Sequence, residues 1–156
     1  MTHDHLFAFE DDFVASLRCI PMAVRLKLDR IAIKLTLRQW SRFTGADRRD
    51  LLTSPCATGD EVSAYRDRVV ELVEVRAREP ARPLADPPRP LWEDAAHLPA
   101  AVSAFAERAG LAPPRPDEWR ALNELQRFVL LKLSRDNHDN VNFVPAMREF
   151  GLARAR

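Results

Sequence analysis

The sequence predicts an all-α fold, an irregular bundle of about six or seven helices with a proline-rich surface connection. Three observations support this prediction. Apolar residues recur at the three- and four-residue spacing of helices in several segments. No stretch of useful length alternates apolar and polar residues as a half-buried strand does. Glycine is scarce, with 4 residues, whereas most of the 12 prolines lie between Pro80 and Pro116.

The N-terminal part carries a series of short helical patterns. Pro21 suits the first turn of a helix that runs to about Ile33 and is apolar on two faces, which is typical of a central helix. Thr36 is the expected cap of the next helix, and Gly45 is expected to end it. The other helices predicted here lie at 11–17, at 47–52 and from a cap at Asp60 onward.

Residues 79–98 are rich in proline, which propagates neither a helix nor a central strand. We expect an extended surface segment held by Leu91 and Trp92, and the alternative is a mobile linker between two helical halves. The helices expected beyond it lie at 99–109, with Gly110 as its stop, at 117–134, and around Phe143, Met147 and Phe150, with Gly151 as its stop. We therefore expect one helical domain over 1–156, with N-terminal helices in 1–78 and C-terminal helices in 99–156. Its core pair would be the helices at 21–33 and 117–134.

Composition points to an ordinary globular protein of the cytoplasm. Hydrophobic residues make up 46% of the 156 residues, charged residues 30%, and the formal net charge is +1. Two cysteines are too few for a disulfide scaffold and fit a reducing compartment. No secretory signal and no apolar run long enough for a membrane span is evident.

Cys19 is the candidate reactive thiol. It follows Arg18 and precedes Pro21 near an expected helix start, and both a cation and a helix N-terminus favour the thiolate. No CxxC pair exists, and Cys56 is far away in sequence. We expect a structural role for both cysteines and keep a thiol-based redox sensor at Cys19 as an alternative.

A basic segment runs from Arg18 to Arg49. It holds nine Lys or Arg residues against only two acids, Asp29 and Asp47. We expect a solvated basic face. The alternative is a nucleic-acid-binding regulator that uses this segment, because clustered cations attract phosphates.

A polar loop, 135–140, contains His138 and Asn140 between two helices. We expect its asparagines and histidine to satisfy backbone groups at the helix ends, with a partner contact or an anionic small-molecule site as the alternative. Its spacing fits neither a calcium loop nor a zinc site, so no metal is expected. The sequence contains no phosphate-binding loop, dinucleotide fingerprint or hydrolase motif. We therefore expect a protein that is not an enzyme and carries no cofactor.

Two blocks of the sequence resemble one known family. The run SLRCIPMAVRLKLD at 16–29, with its flanks, and the segments at 119–134 and 140–150 are similar to the bacterial nitrate-reductase-associated proteins. The resemblance implies an accessory protein that contacts nitrate reductase or a molybdenum-cofactor assembly protein, with no catalytic residues to carry over. Combining it with the residue patterns, we expect a partner contact at Arg18, Cys19, Arg25, Lys27, Lys34, His138 and Asn140.

Overall fold

The computed structural model describes residues 6–10, 19–86, 89–135 and 141–155. Within these ranges it contains eight α-helices and one pair of two-residue strands, which confirms the all-α class. The chain divides into two compact units, Met1–Pro88 and Arg89–Arg156, which we call the N-terminal and the C-terminal unit. The single domain expected over 1–156 stays a prediction.

Four α-helices and a π-helical turn build the described N-terminal unit. They are α1 (Met22–Ile31), α2 (Leu37–Arg42), α3 (Gly45–Thr53), α4 (Gly59–Leu72) and the π-helical turn Val73–Ala77, which continues α4. The helix expected at 11–17 lies outside the described residues.

Capping boxes start three of these helices. Thr36 caps α2, as expected: its hydroxyl accepts from the Gln39 amide, and its own amide donates to the Gln39 side-chain oxygen. Thr44 caps α3 in the same way, so Gly45 begins this helix instead of ending the previous one. Thr58, and not Asp60, caps α4, because its hydroxyl accepts from the Glu61 amide at 3.2 Å. Threonine followed three residues later by Gln, Asp or Glu is the local signal that these starts share.

Helix α1 is buried on both of its apolar faces, as the sequence predicts. Val24 and Leu28 are buried on one side, and Met22 and Leu26 on the other. A residue distant in sequence stabilises the start of this helix, because the buried Glu10 carboxylate accepts a hydrogen bond from the Met22 amide at 2.9 Å. An acid at this end also interacts favourably with the helix dipole.

A short strand pair was not predicted. Strand β1 (Ile33–Lys34) pairs antiparallel with β2 (Arg82–Pro83), so that Ile33 is opposite Pro83 and Lys34 is opposite Arg82. The Leu84 amide extends the pairing with a hydrogen bond of 2.8 Å to the Ala32 carbonyl. Proline is tolerated because β2 is an edge strand whose ladder does not need the missing donor.

The C-terminal unit contains four α-helices within its described residues. They are α5 (Ala100–Arg108), α6 (Pro116–Ala121), α7 (Glu124–Leu133) and α8 (Phe143–Glu149). The single helix expected at 117–134 is wrong, since Leu122 is extended and Asn123 caps a new helix in a box with Gln126. The side chain of Asn competes with the helical backbone and favours such caps. Gly110 and Gly151 end α5 and α8 with positive φ, as expected.

Trp92 holds the proline-rich segment onto α7 in the C-terminal unit. It lies in a 3-10 turn, Leu91–Glu93, is 3% exposed, and packs edge-on against Phe128 with ring centroids 5.6 Å apart. The buried guanidinium of Arg127 donates to the Trp92 carbonyl at 2.8 Å and also to the Leu122 carbonyl. The expectation for Trp92 is confirmed, whereas Leu91, at 40% exposure, does not hold the segment.

Candidate functional site

The structure describes four of the seven residues expected in a partner contact. Arg18, His138 and Asn140 lie outside the described residues. Cys19 and Arg25 are half-buried, and Lys27 is half-buried at the end of α3, whereas Lys34 is exposed on β1. The four described residues therefore differ in exposure and in their surroundings.

Lys27 is a helix cap. Its ammonium group donates to the carbonyls of Leu52 at 2.8 Å, Ser54 at 2.7 Å and Leu51 at 3.4 Å, which are the acceptors left over at the C-terminus of α3. It also lies 5.6 Å from the centre of the Tyr65 ring. Burial lowers the pKa of Lys27 below its usual range. These contacts occupy all three donors of the ammonium within the fold.

Other cations of the basic segment are also engaged by the backbone. Arg30 donates to the Cys56 carbonyl at 3.0 Å. Arg48 donates to the Trp40 and Ser41 carbonyls at 3.1 and 3.0 Å. Such cations stabilise helix ends and interhelical loops, so the charge excess read from the sequence overstates what is presented to a polyanion.

The two cysteines are both free thiols in different surroundings. Cys56 is 3% exposed. Burial raises the pKa of its thiol, and the nearby Arg30 and Lys27 only partly oppose that effect. Cys19 is half-buried and is the more accessible of the two. This difference in exposure separates them as candidates for thiol chemistry.

We expect Cys56 to resist alkylation in the folded protein. In a Cys19→Ser variant, iodoacetamide near neutral pH should leave Cys56 largely unmodified until denaturant is added, because a buried, protonated thiol is a poor nucleophile. Intact-mass spectrometry against time measures the reaction, and the Cys56→Ser variant provides the matched measurement on Cys19. Complete modification of Cys56 within the time that free cysteine needs would contradict the expectation.

Lys34 lies opposite Arg82, which with Arg38 forms a cluster of cations near Glu79. Lys34 and Arg82 lie directly opposite each other on the strand pair and are both exposed, so two like charges share one face. Arg38 donates to the Glu79 carboxylate at 3.0 Å, and the amide of the buried Gln39 donates to it at 3.0 Å. The hydrogen bond from Gln39, with the charges of Arg38 and Arg82, lowers the pKa of Glu79 against the opposing effect of desolvation.

Two large apolar side chains are exposed on α2 and on the π-helical turn, close in sequence to Arg38 and Glu79. Leu37, at 55% exposure, starts α2, and Val75, at 59%, lies in the π-helical turn that packs against α2. We call the exposed set Lys34, Leu37, Arg38, Val75 and Arg82 the β1–α2 surface. A surface that combines exposed apolar side chains with a polar rim is typical of a protein contact.

The family comparison agrees with the resemblance read from the sequence. The model of the conserved nitrate reductase-associated proteins matches residues 6–150. The chain belongs to this family. No curated protein and no solved structure matches it. The family description links the protein to nitrate reductase and leaves open how the two are connected.

The sequence did not indicate two members of the β1–α2 surface, Arg82 and Val75. Arg82 lies in the proline-rich stretch, and only the strand pairing places it opposite Lys34. Val75 lies in a π-helical turn, and a change to π-helical winding has no clear sequence signal. The segments 34–38 and 76–82 contain four cations besides Lys34, which is a signal for this region. However, α3 and α4 separate the two segments in the sequence.

A small pocket elsewhere in the N-terminal unit offers no obvious chemistry. It has a volume of about 220 Å³ and is lined by Ser54, Pro55, Glu61, Ala64, Tyr65 and Arg68. The Tyr65 hydroxyl donates to the Leu51 carbonyl at 2.7 Å, and burial raises its pKa. Glu61 accepts from the Thr58 and Ala57 amides at 2.9 and 3.0 Å. The polar groups of Tyr65 and Glu61 are therefore hydrogen-bonded within the fold.

The described ranges contain neither a metal-ligand cluster nor a membrane-spanning helix. In these ranges, no three His, Cys, Asp or Glu side chains come together as ligands for an ion. None of the helices there combines the length and apolar character that crossing a bilayer requires.

Proposed function

We propose that this family member is a non-enzymatic accessory protein of the cytoplasm that acts by protein contact. Its partner would be nitrate reductase or a protein of molybdenum-cofactor assembly, and its role would be maturation or regulation of the enzyme. The family supports the setting, because its description names nitrate reductase. The β1–α2 surface carries the proposal, because its residues combine two exposed apolar side chains, Leu37 and Val75, with the exposed cations Lys34 and Arg82.

The engagement of the polar groups supports a contact role over catalysis. Lys27, Tyr65 and Cys56 are three buried or half-buried groups of the described N-terminal unit whose types can do proton-transfer or nucleophilic chemistry. The first two donate to backbone carbonyls, and the third is a buried thiol whose pKa is raised. Each of these side chains contributes to helix packing or capping in the fold.

Affinity purification tests the proposal. Tagged full-length protein is produced in cells that assimilate nitrate, and co-purifying proteins are identified by mass spectrometry. We expect nitrate reductase or a cofactor-assembly protein at levels well above those recovered with the tag alone. Cells grown on ammonium provide the matched condition, because they have little need for the enzyme. Repeated recovery of neither protein from nitrate-grown cells would contradict the proposal.

A further inference from the structure

The strand pair places two cations in an unfavourable arrangement. Lys34 and Arg82 are directly opposite residues of an antiparallel pair, a position in which like charges destabilise a sheet. Both are exposed. Glu79 is the nearby carboxylate, and it is already engaged by Arg38 and Gln39 at 3.0 Å each. An added anion at this face would relieve the repulsion between Lys34 and Arg82.

The charge of the surrounding segments has the same sign. Residues 34–42 and 74–82 together contain six Lys or Arg residues and two acids, Glu74 and Glu79. One of the six, Arg76, is bound to the buried Asp47 at 2.9 Å. The remaining excess is positive, and the same two segments expose the side chains of Leu37 and Val75. A complementary partner would therefore carry both acids and aliphatic residues.

We propose that the β1–α2 surface binds an acidic segment of the partner protein, with glutamate or aspartate beside Lys34 and Arg82 and an aliphatic side chain against Leu37 and Val75. This inference rests on the proposed function, which it deepens by naming the surface and the chemistry of the partner. The exposed branched aliphatic residues favour a protein over a nucleic acid, because surfaces for single strands present aromatic rings for base stacking.

Charge reversal in the full-length chain tests the inference. The probe is a short fluorescein-labelled peptide of glutamate and leucine, and binding is followed by fluorescence anisotropy. The variant Lys34→Glu with Arg82→Glu should weaken binding by about tenfold or more, because acids then face acids. The matched control, Arg89→Glu with Arg120→Glu, makes the same change of net charge at exposed positions of the C-terminal unit and should bind as the wild type does.

Stability distinguishes a lost contact from a damaged fold. The single variant Lys34→Glu creates an opposite-charge pair with Arg82, so its melting temperature should rise by about 1–3 °C. Its affinity for the peptide should nevertheless fall. A variant that becomes more stable and binds less cannot have lost binding through unfolding.

Several results would overturn the inference. Equal binding of the peptide by the two double variants would do so, as would the absence of any peptide binding at low salt. Binding of a short duplex DNA that is tighter than that of the peptide and lost in the Lys34→Glu, Arg82→Glu variant would assign the surface to nucleic acid instead.

Affinity purification separates this inference from the proposed function. If the wild type and the Lys34→Glu, Arg82→Glu variant recover nitrate reductase equally, the proposed function stands and the β1–α2 surface is not the contact. If the peptide binds as expected but the wild type recovers neither nitrate reductase nor an assembly protein, the surface stands and the proposed function fails.

Discussion

Replacement of Arg127 with methionine is expected to lower the free energy of unfolding of the C-terminal unit by about 3 kcal/mol. The guanidinium is buried and donates to two carbonyls, one on Trp92 in the proline-rich segment and one on Leu122 at the end of α6. Methionine is an unbranched apolar side chain with no donor, so both carbonyls lose their partner. The loss should also loosen the contact between Trp92 and Phe128.

Urea unfolding followed by tryptophan fluorescence measures this effect, since Trp92 and Trp119 both lie in the C-terminal unit. Arg120→Met is the matched control, because Arg120 is exposed on α6, and it should change stability by less than about 0.5 kcal/mol. Arg127→Lys should give an intermediate loss, because an ammonium lacks the planar fork that reaches two acceptors. An Arg127→Met protein as stable as Arg120→Met would show that the two carbonyls find other donors.

Replacement of Asp47 with alanine is expected to cost about 3 kcal/mol in the N-terminal unit. The carboxylate is 5% exposed and joins three elements. It accepts from the Thr44 amide at 2.9 Å at the start of α3, from Arg76 at 2.9 Å in the π-helical turn, and from Arg68 on α4 at 3.5 Å. Alanine removes the capping interaction and both ion pairs. Asp67→Ala, at an exposed position on α4, is the control, and a loss no larger than that control's would refute the role.

Acidification should remove the stabilisation that the Asp47 carboxylate provides. Burial by itself would raise the pKa of Asp47, but the hydrogen bonds from Thr44 and Arg76 outweigh it, so the pKa in the folded protein is lowered. Between this lowered pKa and the unfolded pKa of about 4, the folded state binds fewer protons than the unfolded state, so stability rises with pH. The stabilisation by Asp47 is complete above the unfolded pKa. It is lost as the pH falls through the lowered value. The stability difference between the wild type and Asp47→Asn should therefore shrink below about pH 4, and a constant difference would contradict this assignment.

The helical class and most helix positions could be predicted because they depend on local spacing. The apolar faces of α1, the cap at Thr36 and the stops at Gly110 and Gly151 all follow from residues within one or two turns. The errors at Gly45, Asp60 and Leu122 have one cause. In each case an N-cap residue three positions before a Gln, Asp or Glu side chain sets the boundary, and apolar periodicity does not detect it.

The candidate site could be predicted only in part. Lys34 was named from the sequence, but so was Lys27, whose ammonium is used by the end of α3. A sequence lists cations without telling which carbonyls they will meet. That depends on the packing of α1 against α3 and α4, which brings together residues far apart in the chain.

The sequence by itself determined the helical class, the burial of both faces of α1, the anchoring role of Trp92 and membership of the nitrate reductase-associated family. These depend on local pattern or on similarity along the chain. Only the tertiary structure decided that Lys27 caps a helix, that the buried Asp47 pairs with Arg76, and that Lys34 and Arg82 share one face of a strand pair. The reason is physical: hydrogen bonds and charge pairs depend on distances between atoms, and those distances exist only once the helices have packed.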